Sequence, residues 1–299
     1  MKPIIKWVGG KTQILNQVFE KFPKKINNYH ETFLGGGSVL LELIRRVSVN
    51  EIQITGKIYA YDINSVLIHM FINIRDNPVI LQNVLKNFTA TYMSCVNQTG
   101  IKKKLTEAEG VSSKESYYYW MRLNYNKMTL VDKISVAGSA LFIFLNKTCY
   151  RGLYRIGPNG LNSAFGNYMK LNLIITDIDL NKMSEAIQTV EFLVSDFNDS
   201  LKNVKITDFV YLDPPYVPIS KTSSFVGYAL GGFNDIDHTK LFNLIHNLNS
   251  RNIKFLLSNS DAQKVQNVFI NYESIQIECR RVIDTKKSAS KIKELLICN

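Results

Sequence analysis

The sequence predicts an α/β protein with its strands and helices alternating at both ends of the chain and a polar, aromatic-rich stretch between them. Three observations carry this. The apolar run 209–212 has strand length and stops at Asp213-Pro214-Pro215-Tyr216. Residues 239–250 put Leu241, Phe242, Leu244, Ile245 and Leu248 on one helical face, and a strand-like run follows at 253–257. Three glycines, Gly35 to Gly37, precede the apolar helical stretch 39–44, and a second strand-like run follows at 58–64. One body made of residues 1–68 plus 190–299, interrupted by a second at 69–189, accounts for the alternation.

In chain order, the first element is Phe33-Leu34-Gly35-Gly36-Gly37-Ser38. Glycines ahead of a helix let the backbone pass close to a ligand and aim N–H groups at it, while Phe33 offers an apolar wall. Asp62 ends the next strand, 27 positions on from Gly35, a spacing at which a carboxylate takes the two hydroxyls of a ribose. In the middle, Tyr117-Tyr118-Tyr119-Trp120 and Tyr125 either stack bases or fill a helical core, and core packing is favoured. Residues 99–116 read as a connection. Val194-Ser195-Asp196-Phe197 ends another strand, where Asp196 can accept from an adenine amine and Phe197 can pack on its face. Either acid can instead cap a helix. Strands at 274–279 and 294–298 flank the basic stretch 280–293, which suits phosphate contacts.

The tetrapeptide Asp213-Pro214-Pro215-Tyr216 is the most specific chemical signal. Proline fixes its own φ and biases the residue before it towards extended backbone, so Asp213 and the Pro214 carbonyl point in set directions. Two acceptors beside an aromatic ring suit a planar exocyclic amine such as adenine N6, whose lone pair is delocalised. Accepting its two N–H groups stabilises charge developing on nitrogen during methyl transfer. Tyr216 stacks on the base, which must first leave a duplex.

With these residues in view, the chain resembles the Dam and DpnM type of DNA adenine-N6 methyltransferases along nearly its whole length. The likeness is carried by Lys6-Trp7-Val8-Gly9-Gly10-Lys11, Phe33 to Gly37, Tyr61-Asp62-Ile63-Asn64, residues 145–155, residues 162–168, Asp213 to Ser220, Leu257-Ser258-Asn259-Ser260 and Lys291-Ile292-Lys293-Glu294. The resemblance implies a Rossmann-like methyltransferase domain, with a mostly parallel mixed sheet and helices on both faces, and an inserted, mainly helical DNA-recognition domain carrying a hairpin. It implies S-adenosylmethionine as cofactor, S-adenosylhomocysteine as product, double-stranded DNA as substrate, and a cognate restriction nuclease as a candidate partner. By position, Trp7 and Lys11 line the cofactor site, Phe33, Gly35 and Gly37 flank its methionine part, Asp62 holds the ribose, Asp196 and Phe197 meet its adenine, and Asp213 borders it. Asn146, Lys147, Tyr150, Arg151, Arg155, Asn162 and Tyr168 fall in the DNA-binding region, where Arg155 matches a guanine-reading arginine. Arg151 stands where GATC-reading members carry Asn, and Gly157-Pro158 replaces a polar pair, so the target sequence is left open.

Composition fits a polyanion partner. Thirty-six Lys and Arg against twenty-five Asp and Glu leave a net charge of +11. Cys95, Cys149, Cys279 and Cys298 have no C-x-x-C spacing and the four histidines no H-E-x-x-H relation, so no protein-bound metal is expected. No apolar stretch nears the ~20 residues of a membrane span, and an intracellular soluble protein is expected. Gly10-Lys11-Thr12 resembles the end of a phosphate-binding loop, but the glycine such a loop needs five positions earlier is Ile5, which disfavours an NTPase. A methyltransferase acting on RNA or a protein amide is the other alternative. The acidic Asp213 and the arginines of the middle region favour DNA.

Overall fold

The computed structural model of the protein describes residues 1–102, 106–168, 177–219, 232–280 and 291–299. It comprises two compact units. One holds the described parts of residues 11–63, 189–226 and 231–299, the other residues 1–10 with the described parts of 64–188. Residues 1–10 had been expected with the sheet. They belong to the other unit, where Asn146 bonds both the N–H and the carbonyl of Lys6 at 2.9 and 2.8 Å.

The first unit is built on a seven-stranded sheet. Its strands are β1 (Tyr29–Glu31), β2 (Ile58–Asp62), β3 (Val190–Val194), β4 (Phe209–Leu212), β5 (Lys254–Ser260), β6 (Glu273–Arg280) and β7 (Lys291–Cys298). Their spatial order is β6-β7-β5-β4-β1-β2-β3. The five strands β5, β4, β1, β2 and β3 run parallel, and β7 runs against them, paired antiparallel with both β5 and β6. This is the Rossmann-like arrangement the family resemblance implies. All four residues of β4 are buried, although successive side chains point to opposite faces, so both faces of the sheet are covered there. The helix Asp235–Ser250 buries Leu241, Phe242, Ile245 and Leu248 in one core with Val210, Leu212, Phe255 and Leu257. Its start is fixed by Asn234, whose side chain accepts the N–H of Asp237 while Asp237 bonds back to the N–H of Asn234.

Strand order decides where chemistry can sit. From β1 the chain proceeds to β2 and β3 on one side, then returns to β4 on the other. The carboxyl ends of β1 and β4 therefore flank a topological switch point, where open parallel sheets form their ligand crevices. Phe33, Asp62, Asp196 and Asp213 each lie within two residues of the carboxyl end of one of these four strands. The basic loop expected between β6 and β7 lies outside the described residues, whereas its flanking strands pair in register from Glu273↔Cys298 to Arg280↔Lys291.

In the second unit, the helix Val136–Thr148 is buried on nearly every side and packs with the helices Ser65–Asp76, Pro78–Ser94 and Lys114–Lys127. Asn64 caps the first of these through the N–H of Leu67. Tyr117, Tyr118 and Tyr125 are buried, as core packing of the aromatic stripe requires. Within the expected connection at 99–116, Thr106 and Glu109 form a capping box that starts the short helix Glu107–Gly110. A two-strand hairpin pairs Ile156 with Leu161 and Gly157 with Gly160. Its second strand is held by Asn126, which donates to the Leu161 carbonyl at 3.0 Å and accepts the Leu161 N–H at 2.8 Å.

Candidate active site

Asp213 directly follows the last residue of β4, and its carboxylate meets Lys11: Nζ lies 2.7 Å from Oδ2, with the two side chains 3% and 18% exposed. The ammonium also sits 4.9 Å from the centre of the Tyr216 ring. Lys11 was expected to line the cofactor site. The structure gives it a more specific place, on the carboxylate of the tetrapeptide, with its backbone N–H on Ser38 Oγ at 3.1 Å. Tyr216 donates its hydroxyl to Glu294 on β7 at 2.9 Å.

Burial pushes the Asp213 carboxyl up to about 6 despite the ammonium of Lys11, whose charge and hydrogen bond hold it down. If Asp213 accepts one N–H of an amine, the ionised carboxylate does so without a competing proton. A raised value thus costs activity on the acid side: kcat/KM is expected to be level above about pH 7 and to fall about tenfold per pH unit well below about 6. A profile flat down to pH 5 would contradict this assignment.

Glu31 at the end of β1 is buried and accepts the Tyr29 hydroxyl at 2.7 Å. Burial pushes it up to about 8, against the Tyr29 hydrogen bond, with the charge of Asp213 adding to the rise. Since its folded value lies above its unfolded one, the stability it contributes is complete in acid and is lost as pH rises through about 8. Melting temperatures between pH 6 and 9 should fall less steeply for Glu31→Gln than for the parent. Parallel slopes would show that Glu31 is ionised at neutral pH.

Next to this group lies the glycine loop. Gly35 and Gly37 have φ of 50° and 72°, a region that residues with a Cβ rarely enter, and Gly37 immediately precedes the helix Ser38–Ser48. The Gly35 N–H donates to Oδ2 of Asp62 at 3.0 Å, tying the loop to the end of β2. Phe33 stacks on Phe197 at 6.0 Å, and both rings meet Phe233. Phe233 had not been singled out, because no motif surrounds it. Asp196 realises the capping alternative: its side chain accepts the Asp199 N–H at 2.9 Å and starts the turn Phe197–Ser200. Its other carboxylate oxygen is not engaged by that cap. Phe33, Gly35, Gly37, Asp62, Asp196, Phe197 and Asp213 thus share one unit and one sheet edge.

An acidic strand end followed by two prolines, a glycine loop and an acid ending β2 is an arrangement for nucleoside-type ligands and amine chemistry. Over residues 7–283 the chain matches the family described as D12 class N6 adenine-specific DNA methyltransferase. The chain belongs to this family. It is 33% identical over 308 residues to the type II methyltransferase M.MjaIII of Methanocaldococcus jannaschii, covering 100% of this chain and 99% of that protein. It is 29% identical to the type II methyltransferase M1.LlaDCHI of Lactococcus lactis subsp. cremoris, with 100% and 95% covered. The DNA adenine methylase of Escherichia coli K12 is 27% identical, with 99% and 94% covered. The protein is a site-specific adenine DNA methyltransferase, which answers the NTPase alternative.

The methyltransferase's remaining expected residues lie in the helical unit. Trp7 stacks on Tyr154 with ring centres 5.3 Å apart and meets Phe142 edge-on. Asn146, expected at the DNA surface, requires a correction. It is buried, its Oδ1 accepts the Lys6 N–H, and its Nδ2 donates to the carbonyls of Lys6 and Gly152, so it braces the turn. Lys147 is half-buried, and burial, aided by the charge of Lys6, holds its ammonium below the usual range. Arg151 adopts φ 58°, donates its N–H to the Tyr168 hydroxyl and lays its guanidinium over the exposed Tyr150 ring. Arg155 flanks the hairpin, with Nε on Oδ1 of the exposed Asn162 at 2.7 Å. No helix among the described residues is long and apolar enough to cross a membrane. Nor do three His, Cys, Asp or Glu side chains among them converge as metal ligands would.

Proposed function

We propose that this methyltransferase transfers the methyl group of S-adenosylmethionine to N6 of an adenine flipped out of duplex DNA, with Asp213 and the Pro214 carbonyl accepting the amine N–H groups. The observation that carries this is the largely buried Asp213 at the end of β4, beside Lys11 and Tyr216. The donor set suits the cofactor: an acid at the end of β2 for ribose hydroxyls, left-handed glycines that keep the backbone low, and the Phe33 and Phe197 rings as apolar walls. When bound, S-adenosylmethionine supplies an electrophilic sulfonium methyl. Gly35 and Gly37 complete the proposed cofactor contacts within the sheet unit.

Lys11 sits on Oδ2 of a carboxylate that has two acceptor oxygens, so an amine N–H is accepted alongside its ammonium. Its charge keeps Asp213 ionised. Pro214 and Pro215 hold the acceptors rigid, and Tyr216 packs on the extruded base. Extruding it costs a few kcal/mol of unstacking. The reading is tested by 2-aminopurine placed at the methylated position of a duplex: its fluorescence should rise on binding. A signal that stays quenched, with the duplex bound, would contradict flipping.

Recognition is assigned to the region of Lys147, Tyr150, Arg151, Arg155, Asn162 and Tyr168, with a cognate restriction nuclease as the expected partner of such a type II system. Arg155→Ala should relax sequence preference, since a bidentate Arg–guanine pair discriminates by ~1–3 kcal/mol. Lys147→Ala should weaken binding to all DNA alike and lower its salt dependence. Competition binding with sequence-shuffled duplexes checks both, and unchanged selectivity in the Arg155 variant would remove the first.

A further inference from the structure

Three side chains with no role so far hold the Tyr216 hydroxyl and the backbone of the residue after it. The hydroxyl donates to Oε2 of Glu294 at 2.9 Å. The next residue, Val217, is 6% exposed. Its N–H donates to Oδ1 of Asn259 at 3.1 Å and its carbonyl accepts from Ser260 Oγ at 2.6 Å. The same Oδ1 also takes the Ser260 N–H at 2.8 Å, so the amide orientation is fixed by two donors. Asn259 Nδ2 is buried without a hydrogen-bond partner among the described residues, a cost the amide bears to keep its oxygen on the loop.

These side chains converge because of sheet register. Asn259 and Ser260 end β5, beside β4, and antiparallel pairing with β7 sets Ser260 opposite Glu294. A carboxylate from β7 thereby reaches over the end of β5 to a residue of the loop that leaves β4. A partly buried phenol is best given an acceptor, but an alcohol or a carbonyl would serve. A charged one gives a stronger and more directional bond.

We propose that Glu294 is the positioning residue of Tyr216: by holding the hydroxyl it fixes the plane of the ring on which the target base packs, while Asn259 and Ser260 fix the backbone behind it. This rests on the reading of Asp213 to Tyr216 as the catalytic tetrapeptide. Glu294 touches neither base nor donor in this scheme. It acts through Tyr216, and its charge also bears on Asp213, which is faced by Lys11, by Tyr211 from β4, by Glu31 from β1 and by Tyr216 itself; the Cys279 thiol of β6 bonds to Glu294.

The test is a double-mutant cycle on the full chain, in steady-state methylation of duplex DNA at saturating methyl donor, with donor binding and melting temperature recorded for each variant. Glu294→Ala and Tyr216→Phe should each lower kcat/KM for DNA on the order of tenfold, the worth of one hydrogen bond to a charged group. The loss in the double variant should fall well short of the product of the single losses, because both break the Tyr216–Glu294 bond, although the Tyr216 hydroxyl also acts on Asp213. Glu294→Gln, which keeps an acceptor, should restore most of the loss and move the acid limb of the pH profile lower, since the anion that raises Asp213 is gone. Losses that multiply in the double variant, or full activity in Glu294→Ala, would overturn the proposal. The near-isosteric pair Tyr216→Phe and Glu294→Gln, with its pH limb, carries the cycle should the alanine variant not fold. Asp213→Ala runs alongside: if it stays active the catalytic reading itself fails, whereas an inactive Asp213→Ala beside a fully active Glu294→Ala sinks only the role of Glu294.

Discussion

Asp213→Ala should lower kcat by at least on the order of 10²–10³-fold, the loss seen when one preorganised transition-state hydrogen bond is removed. Adenine N6 attacks poorly because its lone pair is shared with the ring. A carboxylate held by a proline-locked loop at a strand end helps localise that pair and meets the positive charge forming on nitrogen. Asp213 is 18% exposed and already paired with Lys11, so the site need not reorganise water when the amine arrives. Alanine also leaves the Lys11 ammonium, 3% exposed, without that carboxylate, so part of any stability loss belongs to the lysine. Methyl-donor binding, measured by calorimetry, should survive. Substantial residual turnover with the fold intact would remove Asp213 from the chemistry.

Asp62→Ala should raise the Kd for S-adenosylmethionine by about a hundredfold or more, because two ribose hydroxyls each lose a charged acceptor worth about 1.5–3 kcal/mol. The same carboxylate takes the Gly35 N–H at 3.0 Å, so the glycine loop loses its tie to β2 as well. Asp62→Asn should lie between the two, since its amide keeps one acceptor. DNA binding in the absence of donor should be unaffected. A donor Kd within about twofold of the parent, small against a bond of 1.5–3 kcal/mol, would move the ribose elsewhere.

Much of the site was legible because its pieces are local. Pro214 and Pro215 set their own backbone, glycines at 35 and 37 announce positive φ, and Asp62 and Asp213 end strands whose apolar runs are visible in sequence. What was not legible depends on strand order and register. Lys11 and Asp213 are some 200 residues apart, as their numbers show, and meet only through the folded sheet. Tyr216 finds Glu294 because β7 pairs antiparallel to β5, and no local pattern states that pairing. Asn146 misled. The resemblance placed it in the DNA-binding region, yet it is buried because the segment around Lys6 and the Gly152 carbonyl satisfy both ends of its amide. Asp196 does the capping that its position also allowed.

The most direct test of the central claim is transfer of label from S-adenosylmethionine to unmethylated genomic DNA, followed by single-molecule mapping of N6-methyladenine. The account predicts label in DNA, confined to adenines within one short sequence motif, lost in Asp213→Ala, and with that motif loosened in Arg155→Ala. No label in DNA, from a protein that binds the cofactor, would contradict it.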